Sequence, residues 1–415
     1  MGTLVVIAWR NLLRGWRRSG VVLVAIGVGL AACLLLVGWS HGFVRQMADN
    51  AVSTRLAHLA VHALGYQRNP DAQRNLPDSG REIAAALERF PGAHASPRLV
   101  GDGLLQSARR SSRVVLVGVD PLREARVSIV PQALVEGRMP TRTPPGVARR
   151  LPGIAIGAAM AERLRVKVGD KVVAHVPGEE GLGAFRVSGI FRTSSSEFDR
   201  STAFVRLEEA QQLLALPGRV TEVAVALDDH DTLPDVRAQA AAELARAHPE
   251  LALEVLTWQE REPRLAAMLE LMANTAWVIY AAVFVAMAFG IANSLLMMVY
   301  ERIREFGMLR ALGLSARSLL ALVLLESILM TVIGTALGLV IGVPIVLWLG
   351  HVGLDLSRFA AGMTEFGIGT RVYTQLELRD VVTPVAVALV TAILAALWPA
   401  WKAVRLRPAE AIRHV

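Results

Sequence analysis

The chain has 415 residues, of which 53% are apolar and only 19% charged, and its mean hydropathy is +0.43. That is the composition of a membrane protein with room for one soluble domain of ordinary size. The formal net charge is +8, yet no basic patch is interleaved with aromatics, so no nucleic-acid partner is expected, and the single cysteine, Cys33, excludes an intrachain disulfide.

Residues 1–18 set Ile7, Trp9, Leu12, Leu13 and Trp16 among Arg10, Arg14, Arg17 and Arg18. This pattern predicts a cytoplasmic amphipathic helix lying at the headgroups. Val21 to Trp39 is a run of 19 uncharged residues, about 28 Å as a helix and long enough to span. The first span is placed at 19–41. A competing signal lies inside it: Leu30-Ala31-Ala32-Cys33 has the form of a lipobox. The apolar run continues for six residues past Cys33, which favours an intact span.

Residues 42–268 contain no uncharged run long enough to span, and the charge pattern puts them outside the cytoplasm. Their elements alternate. LAHLAVHAL reads as a strand, SGREIAAALERF as a serine-capped helix, RVVLVGVD as a strand. The Pro/Gly/Arg-rich 137–153 reads as a loop at a subdomain boundary. After it come a strand, a short helix, a Gly169-Asp170 turn and further strands. LEEAQQLLAL is a helix stopped by Pro217-Gly218, VTEVAVAL a strand and DVRAQAAAELARA a helix. The reading is an α+β domain with a second part inserted at about 140–216. His58 and His62 are four apart, but they sit in a strand-like stretch rather than on a metal-binding helix.

The second span is placed at 269–300, and its long uncharged run implies tilt or extension beyond the bilayer. The third, 319–350, is broken by one acid, Glu326. An acid there is either a functional group or a carboxylate paired with a neighbouring arginine. Gly334, Gly338 and Gly342 form a small-residue ridge for close helix packing, within the subunit or between subunits. Pro344 is placed to kink the end of that span. A second external segment, 351–380, a fourth span, 381–401, and a basic cytoplasmic tail, 402–415, complete the chain.

Between the second and third spans lies the stretch on which the reading turns, 301–318. Arg302, Arg304, Arg310 and Arg317 sit there with Glu301 and Glu305. Each such charge costs roughly 2.5–3.5 kcal/mol at the centre of a span, and the arginine excess puts the stretch in the cytoplasm. Ile303, Phe306 and Leu309 or Arg310 fall near one face of a helix, and Gly307 and Gly313 offer a bend and a stop. It reads either as an ordinary positive-inside loop or as a helix that passes a push from a soluble partner into the membrane.

No G-x-x-x-x-G-K-[ST], G-x-S-x-G or H-E-x-x-H pattern occurs. Ser194-Ser195-Ser196 beside Glu197 and Asp199 reads as a polar loop. The spans lack the several buried charges of an ion-coupled transporter. No catalytic residue, metal site or cofactor is assigned to this chain, so a partner must supply the energy.

The stretch RIREFGMLRALGLSARSLLALVLLES with the following glycine ridge resembles the FtsX-like permease domain of ABC transporters of the MacB and lipoprotein-releasing type. PAWKAVRLRPAEAIRHV, with Pro408 and Glu410, looks like that family's closing pattern, and AWRNLLRGWRRS like its amphipathic elbow. GVDP at 118–121, EGR at 136–138, GAAMAERLRVKVGDKV and FRVSGIFRT resemble its periplasmic core domain. The chain is most similar to the lipoprotein-releasing (LolC/LolE-like) permease group of this FtsX-like/MacB-type family. The resemblance implies four transmembrane helices in a 1+3 arrangement and a large α+β periplasmic domain with a porter-like part and an inserted β-rich part. It implies two permease subunits, of the same or homologous chains, in the inner membrane, with cytoplasmic ABC ATPase subunits that bind ATP and Mg. Residues Glu301, Arg302, Arg304, Glu305, Phe306, Gly307, Met308, Leu309, Arg310, Ala311, Leu312 and Gly313 would then couple to the ATPase. A lipoprotein carrier or adaptor in the periplasm belongs to the same expectation, although no carrier-binding hook is recognisable. Alternatives are a MacB-like mechanotransmission exporter of peptides or drugs, and an FtsX-like relay to a periplasmic hydrolase.

Overall fold

A computed structural model describes residues 2–14, 16–69, 74–141, 151–176, 181–311, 313–359, 362 and 369–404. The closing pattern around Pro408 and Glu410, most of the predicted tail, and Leu312 lie outside the described residues. The chain divides into two compact units. One holds the residues up to Val44, Glu270–Asp355 and those from Arg371 onward; the other holds Arg45–Leu269 and Leu356–Thr370.

The first unit is helical. Among the described residues, four helices are long and apolar enough to cross a membrane: Ser19–Leu56, Tyr280–Glu301, Ala316–Val352 and Leu378–Lys402. They coincide with the four apolar runs of the sequence. The helix carrying the second span is Pro263–Glu301, 39 residues long, or about 58 Å, nearly twice the hydrocarbon thickness. The amphipathic helix is Gly2–Arg14. It buries Ala8 and Leu12 and exposes Ile7, Trp9, Arg10, Leu13 and Arg14. Leu12 packs with Val22, Ile26, Met330 and Ala392, so this helix joins the first, third and fourth spans.

The glycine ridge packs within the subunit, against the first span. A Cβ on Gly338 would stand 2.8 Å from the Gly27 carbonyl oxygen and 2.9 Å from Leu30 Cβ. One on Gly334 would meet Ile26 at 2.8 Å, and one on Gly342 would meet Ala31 and Leu34 at 3.0 Å. Two helices this close need residues without side chains at the crossing. Cys33 lies mid-helix in Trp16–Ala51, fully buried against Tyr280, Phe284 and Ala388. Pro344 lies inside the third-span helix, which continues to Val352.

The second unit is built on one mixed sheet. Its strands are β1 (Leu59–Ala63), β2 (Ala93–Gln106), β3 (Ser111–Val119), β4 (Leu134–Gly137), β5 (Gly153–Gly157), β6 (Lys171–His175), β7 (Leu182–Phe191), β8 (Thr202–Arg206), β9 (Glu222–Leu227) and β10 (Leu253–Thr257). The order is β10-β1-β9-β2-β3-β8-β5-β7-β4, with β6 pairing β2 and β7. Strands from the predicted insertion enter the same sheet: β8 runs parallel to β3, and β6 antiparallel to the far end of β2. The two largest apolar cores among its described residues lie on it. Val223, Val225 and Leu227 pack with Ile83, Leu87, Val236 and Leu244 in one. Ile154, Ile156, Met160, Leu164, Phe185 and Val187 pack with Leu99 and Leu105 in the other. The long β2 serves both, through Ala93 and Ala95 at its start and Leu99 and Leu105 further on.

Two local features depart from or go beyond the sequence reading. The helix of SGREIAAALERF is Arg81–Leu87, and its N-cap is Gly80 in a left-handed conformation (φ 61°) rather than a serine with a side-chain bond. β2 crosses a stretch containing Pro97, Gly101 and Gly103, to which the sequence analysis assigned no element. Pro97 pairs with Val223 of β9, whereas β3 begins pairing only at Arg98, so its missing N–H interrupts no bond to β3. At Gly103 a Cβ would stand 2.5 Å from the His175 carbonyl oxygen, so glycine is what admits β6 to the sheet.

Candidate functional site

The turn between the second and third spans is built from a break, a short helix and a cap. The second-span helix ends at Glu301, Arg302 is the break, and a new helix runs Ile303–Ala311. Gly307 lies inside that helix, which continues through it to Ala311. Gly313, with φ 97°, provides the stop. The Ser315 hydroxyl then accepts from the Ser318 amide at 3.1 Å and caps the third-span helix, which starts at Ala316.

The short helix has two distinct faces. Ile303, Phe306 and Gly307 are buried. Phe306 packs with Val299, Leu319, Val323 and Ala400, so its ring joins the second, third and fourth spans. The Arg302 guanidinium lies 5.1 Å from the Phe306 ring centroid. Arg310 Nη1 donates to the Val404 carbonyl oxygen at 2.7 Å, where the orphan carbonyls of the fourth helix end. The opposite face presents Arg304, Met308 and Ala311, all exposed and spaced as one helical stripe, and Glu301, the last residue of the preceding helix, is exposed as well. Of the predicted stretch, Glu305 is partly buried against Arg302, Nε to Oε2 2.7 Å. The Leu309 side chain and Leu312 lie outside the described residues.

Glu326 belongs to this same cluster. It is 1% exposed, and its Oε1 accepts from Arg302 Nη1 at 3.1 Å and from Asn11 Nδ2 at 2.6 Å. The acid inside the third span is therefore ion-paired with the arginine at the break. It also ties in the amphipathic helix, a contact the sequence reading did not foresee. Asn11, a lone amide on the buried side of an amphipathic helix, is the signal that was available.

The serine-rich stretch, expected as a polar loop, is the start of a short helix. The Ser195 hydroxyl caps Ser196–Ser201 by accepting from the Phe198 amide, and Asp199 accepts from the amide and hydroxyl of Thr193. Elsewhere in the sheet unit, a cavity of about 540 Å³ opens between Met47, Leu265, Met268 and Phe204, with Arg98 and Arg261 in its lining.

The MacB-like periplasmic core domain family matches residues 19–243, which hold the first span and most of the sheet. The FtsX-like permease C-terminal family matches residues 277–408, which hold the charged turn and the second, third and fourth spans. The lipoprotein-releasing system transmembrane protein LolC of Xylella fastidiosa is 28% identical over 97% of this chain and 97% of its own length. LolC of Neisseria meningitidis is 26% identical over 98% of this chain and 99% of its own. The corresponding LolE of Haemophilus influenzae is 23% identical over 99% of each. With a match covering more than half of its residues and a second covering the remaining spans, the chain belongs to the MacB-like, FtsX-like family and is an ABC transporter permease of the LolC/LolE type.

Proposed function

We propose that a separate cytoplasmic ATPase docks on residues 301–313 and drives this permease to release lipoproteins or lipids from the inner membrane. The observation that carries the reading is the short helix with its exposed stripe. One face offers Arg304, Met308 and Ala311 to a partner, and the other is fixed through Phe306 and Arg310, with Arg302 at the break before it, to three spans and the amphipathic helix. A force on the stripe would reach the spans with little slack. Lipoprotein as the cargo is supported by relatives that carry that name along essentially their whole length. In this reading both termini are cytoplasmic and the sheet unit periplasmic. ATP and Mg belong to the ATPase, a second permease completes the pair, and a periplasmic carrier accepts the product.

The test is reconstitution of the permease with its ATPase in liposomes holding a triacylated lipoprotein. Expected are lipoprotein-stimulated ATP hydrolysis and ATP-dependent transfer to a soluble acceptor. Stimulation by a peptide or macrolide and not by lipoprotein would move the assignment to a MacB-like exporter. Hydrolysis indifferent to all of them, with a cell-wall hydrolase captured by the sheet unit, would move it to an FtsX-like relay.

A further inference from the structure

The segment leaving the first span and the segment leading to the second meet one buried ion network in the sheet unit. The first-span helix ends in a π turn, Val52–Leu56, whose last carbonyls have no acceptor role further along the helix. Arg98 of β2 donates from Nη1 to the Arg55 carbonyl oxygen at 2.7 Å. Arg261, two residues before the second-span helix begins at Pro263, donates from Nη1 to the Leu56 carbonyl oxygen. Both arginines converge on Glu222 of β9, Arg261 Nη2 at 2.6 Å and Arg98 Nη1 at 3.3 Å. Glu124 takes the other edge of Arg98 in a fork, Nε to Oε2 3.1 Å and Nη2 to Oε1 2.7 Å. The Ser96 hydroxyl donates to the same carboxylate at 2.9 Å. At the rim, Arg55 pairs with Glu262.

Arg98, Glu124 and Glu222 are each 3% exposed or less. Burial would raise the Glu222 carboxyl, but Arg261 and Arg98 hold it below its ordinary value. A buried network of this kind adds little net stability over a well-packed apolar core. What an apolar core does not do is hold two named backbone carbonyls at a helix end with directed, charge-assisted bonds.

We propose that Arg98, Arg261 and Glu222 form a latch that fastens the end of the first-span helix and the start of the second-span helix to β2 and β9. These segments then move as one body with the sheet. The latch itself stands apart from the identity of the cargo; its use in relaying motion rests on the reading that an ATPase moves the spans.

Hydrogen exchange on the purified full chain tests it with no ATPase present, so its failure is separate from failure of the transport reading. The reporting amides are Ala57, bonded to the Val52 carbonyl at 2.8 Å, His58, bonded to the Val225 carbonyl at 2.9 Å, and Trp258, bonded to the His58 carbonyl at 3.1 Å. In the wild type they are expected to exchange within about tenfold of the β9 amides, as parts of one cooperative unit. Exchange faster than that overturns the latch whatever any variant does. In Arg261→Lys a single ammonium cannot hold both the Leu56 carbonyl and Glu222. Their exchange should rise by about tenfold or more while β3 and β8 keep their protection. An Arg261→Lys chain that stays folded with all three amides unchanged also overturns it.

Discussion

Arg302, half-buried, and Glu326, buried, form an ion pair across the charged turn, Nη1 to Oε1 3.1 Å. One residue is the break between the second-span helix and the short helix, and the other is inside the third span. Asn11 of the amphipathic helix donates to the same carboxylate oxygen. Three helical elements are thus registered on a single atom, and that registration gives the exposed stripe a fixed base.

Removing the cation alone should be costly. Arg302→Ala leaves a carboxylate at 1% exposure that still accepts from Asn11, a change worth about 3–5 kcal/mol where one partner of a buried pair is removed. The paired replacement Arg302→Leu with Glu326→Leu removes both charges and should recover most of that loss. Thermal unfolding of the full chain in detergent reads the comparison. Equal losses in the single and double variants would mean that packing, not the charge pair, sets the cost.

The glycine ridge makes a paired prediction. Gly338→Val places a Cβ that would meet the Gly27 carbonyl oxygen at 2.8 Å, so the first and third spans must separate, at a cost of about 1–3 kcal/mol or more. Gly290→Ala meets nothing within 4 Å and should change stability by less than about 0.5 kcal/mol. Unfolding midpoints of the two variants check this, as does cross-linking between cysteines placed on the first and third spans.

How much was legible depended on whether the signal is local. Apolar runs announce spans directly, and the glycines at 334, 338 and 342 announce a close crossing, though not which helix it crosses. The charged turn was legible as a helix, with Ile303 and Phe306 on its buried face. A bend was expected at Gly307, but the helix runs through it to Ala311 with Phe306 and Gly307 buried, and the interruption falls earlier, at Arg302. β2 was missed because Pro97, Gly101 and Gly103 imitate a turn, while the pairing that rescues them comes from β3, β6 and β9. The network of Arg98, Glu124, Glu222 and Arg261 was missed for a related reason. Each member looks like a surface charge until strands far apart in sequence are side by side. Its sequence trace is a charge inside an otherwise apolar strand, Glu222 in VTEVAVAL.

Acidity should act on the sheet unit through two groups of opposite sign. Burial pushes the Asp199 carboxyl up to about 6 from an ordinary 3.8, against the hydrogen bonds from Thr193. Its folded form takes a proton more readily than the unfolded one, so its contribution is fullest at low pH and is lost as pH rises from about 3.8 through about 6. Burial, and then His230, lower His58 from 6.5 to about 4. His58 Nδ1 accepts from the Leu227 amide at 3.0 Å, so the ring is held neutral and donates through Nε2 to His230 at 2.7 Å. Its contribution is full above 6.5 and is lost as pH falls toward about 4. The two offset one another in the wild type. Asp199→Asn should therefore steepen the loss of thermal stability on acidification across that interval, and His58→Gln should shift the slope the other way. Melting curves at stepped pH test the pair, and slopes equal to the wild type in both would refute it.

The central claim is that the exposed stripe of the short helix receives an ATPase. Met308 is 53% exposed, so Met308→Asp should leave folding within about 0.5 kcal/mol of the wild type while placing a charge in the middle of the stripe. The measurement is co-purification from native membranes, wild type against Met308→Asp, with the melting temperature of each. Expected is an ATPase subunit that accompanies the wild type and is lost from an equally stable variant. An ATPase retained in full by Met308→Asp, or one that accompanies neither chain, would contradict the claim and reduce 301–318 to a positive-inside loop.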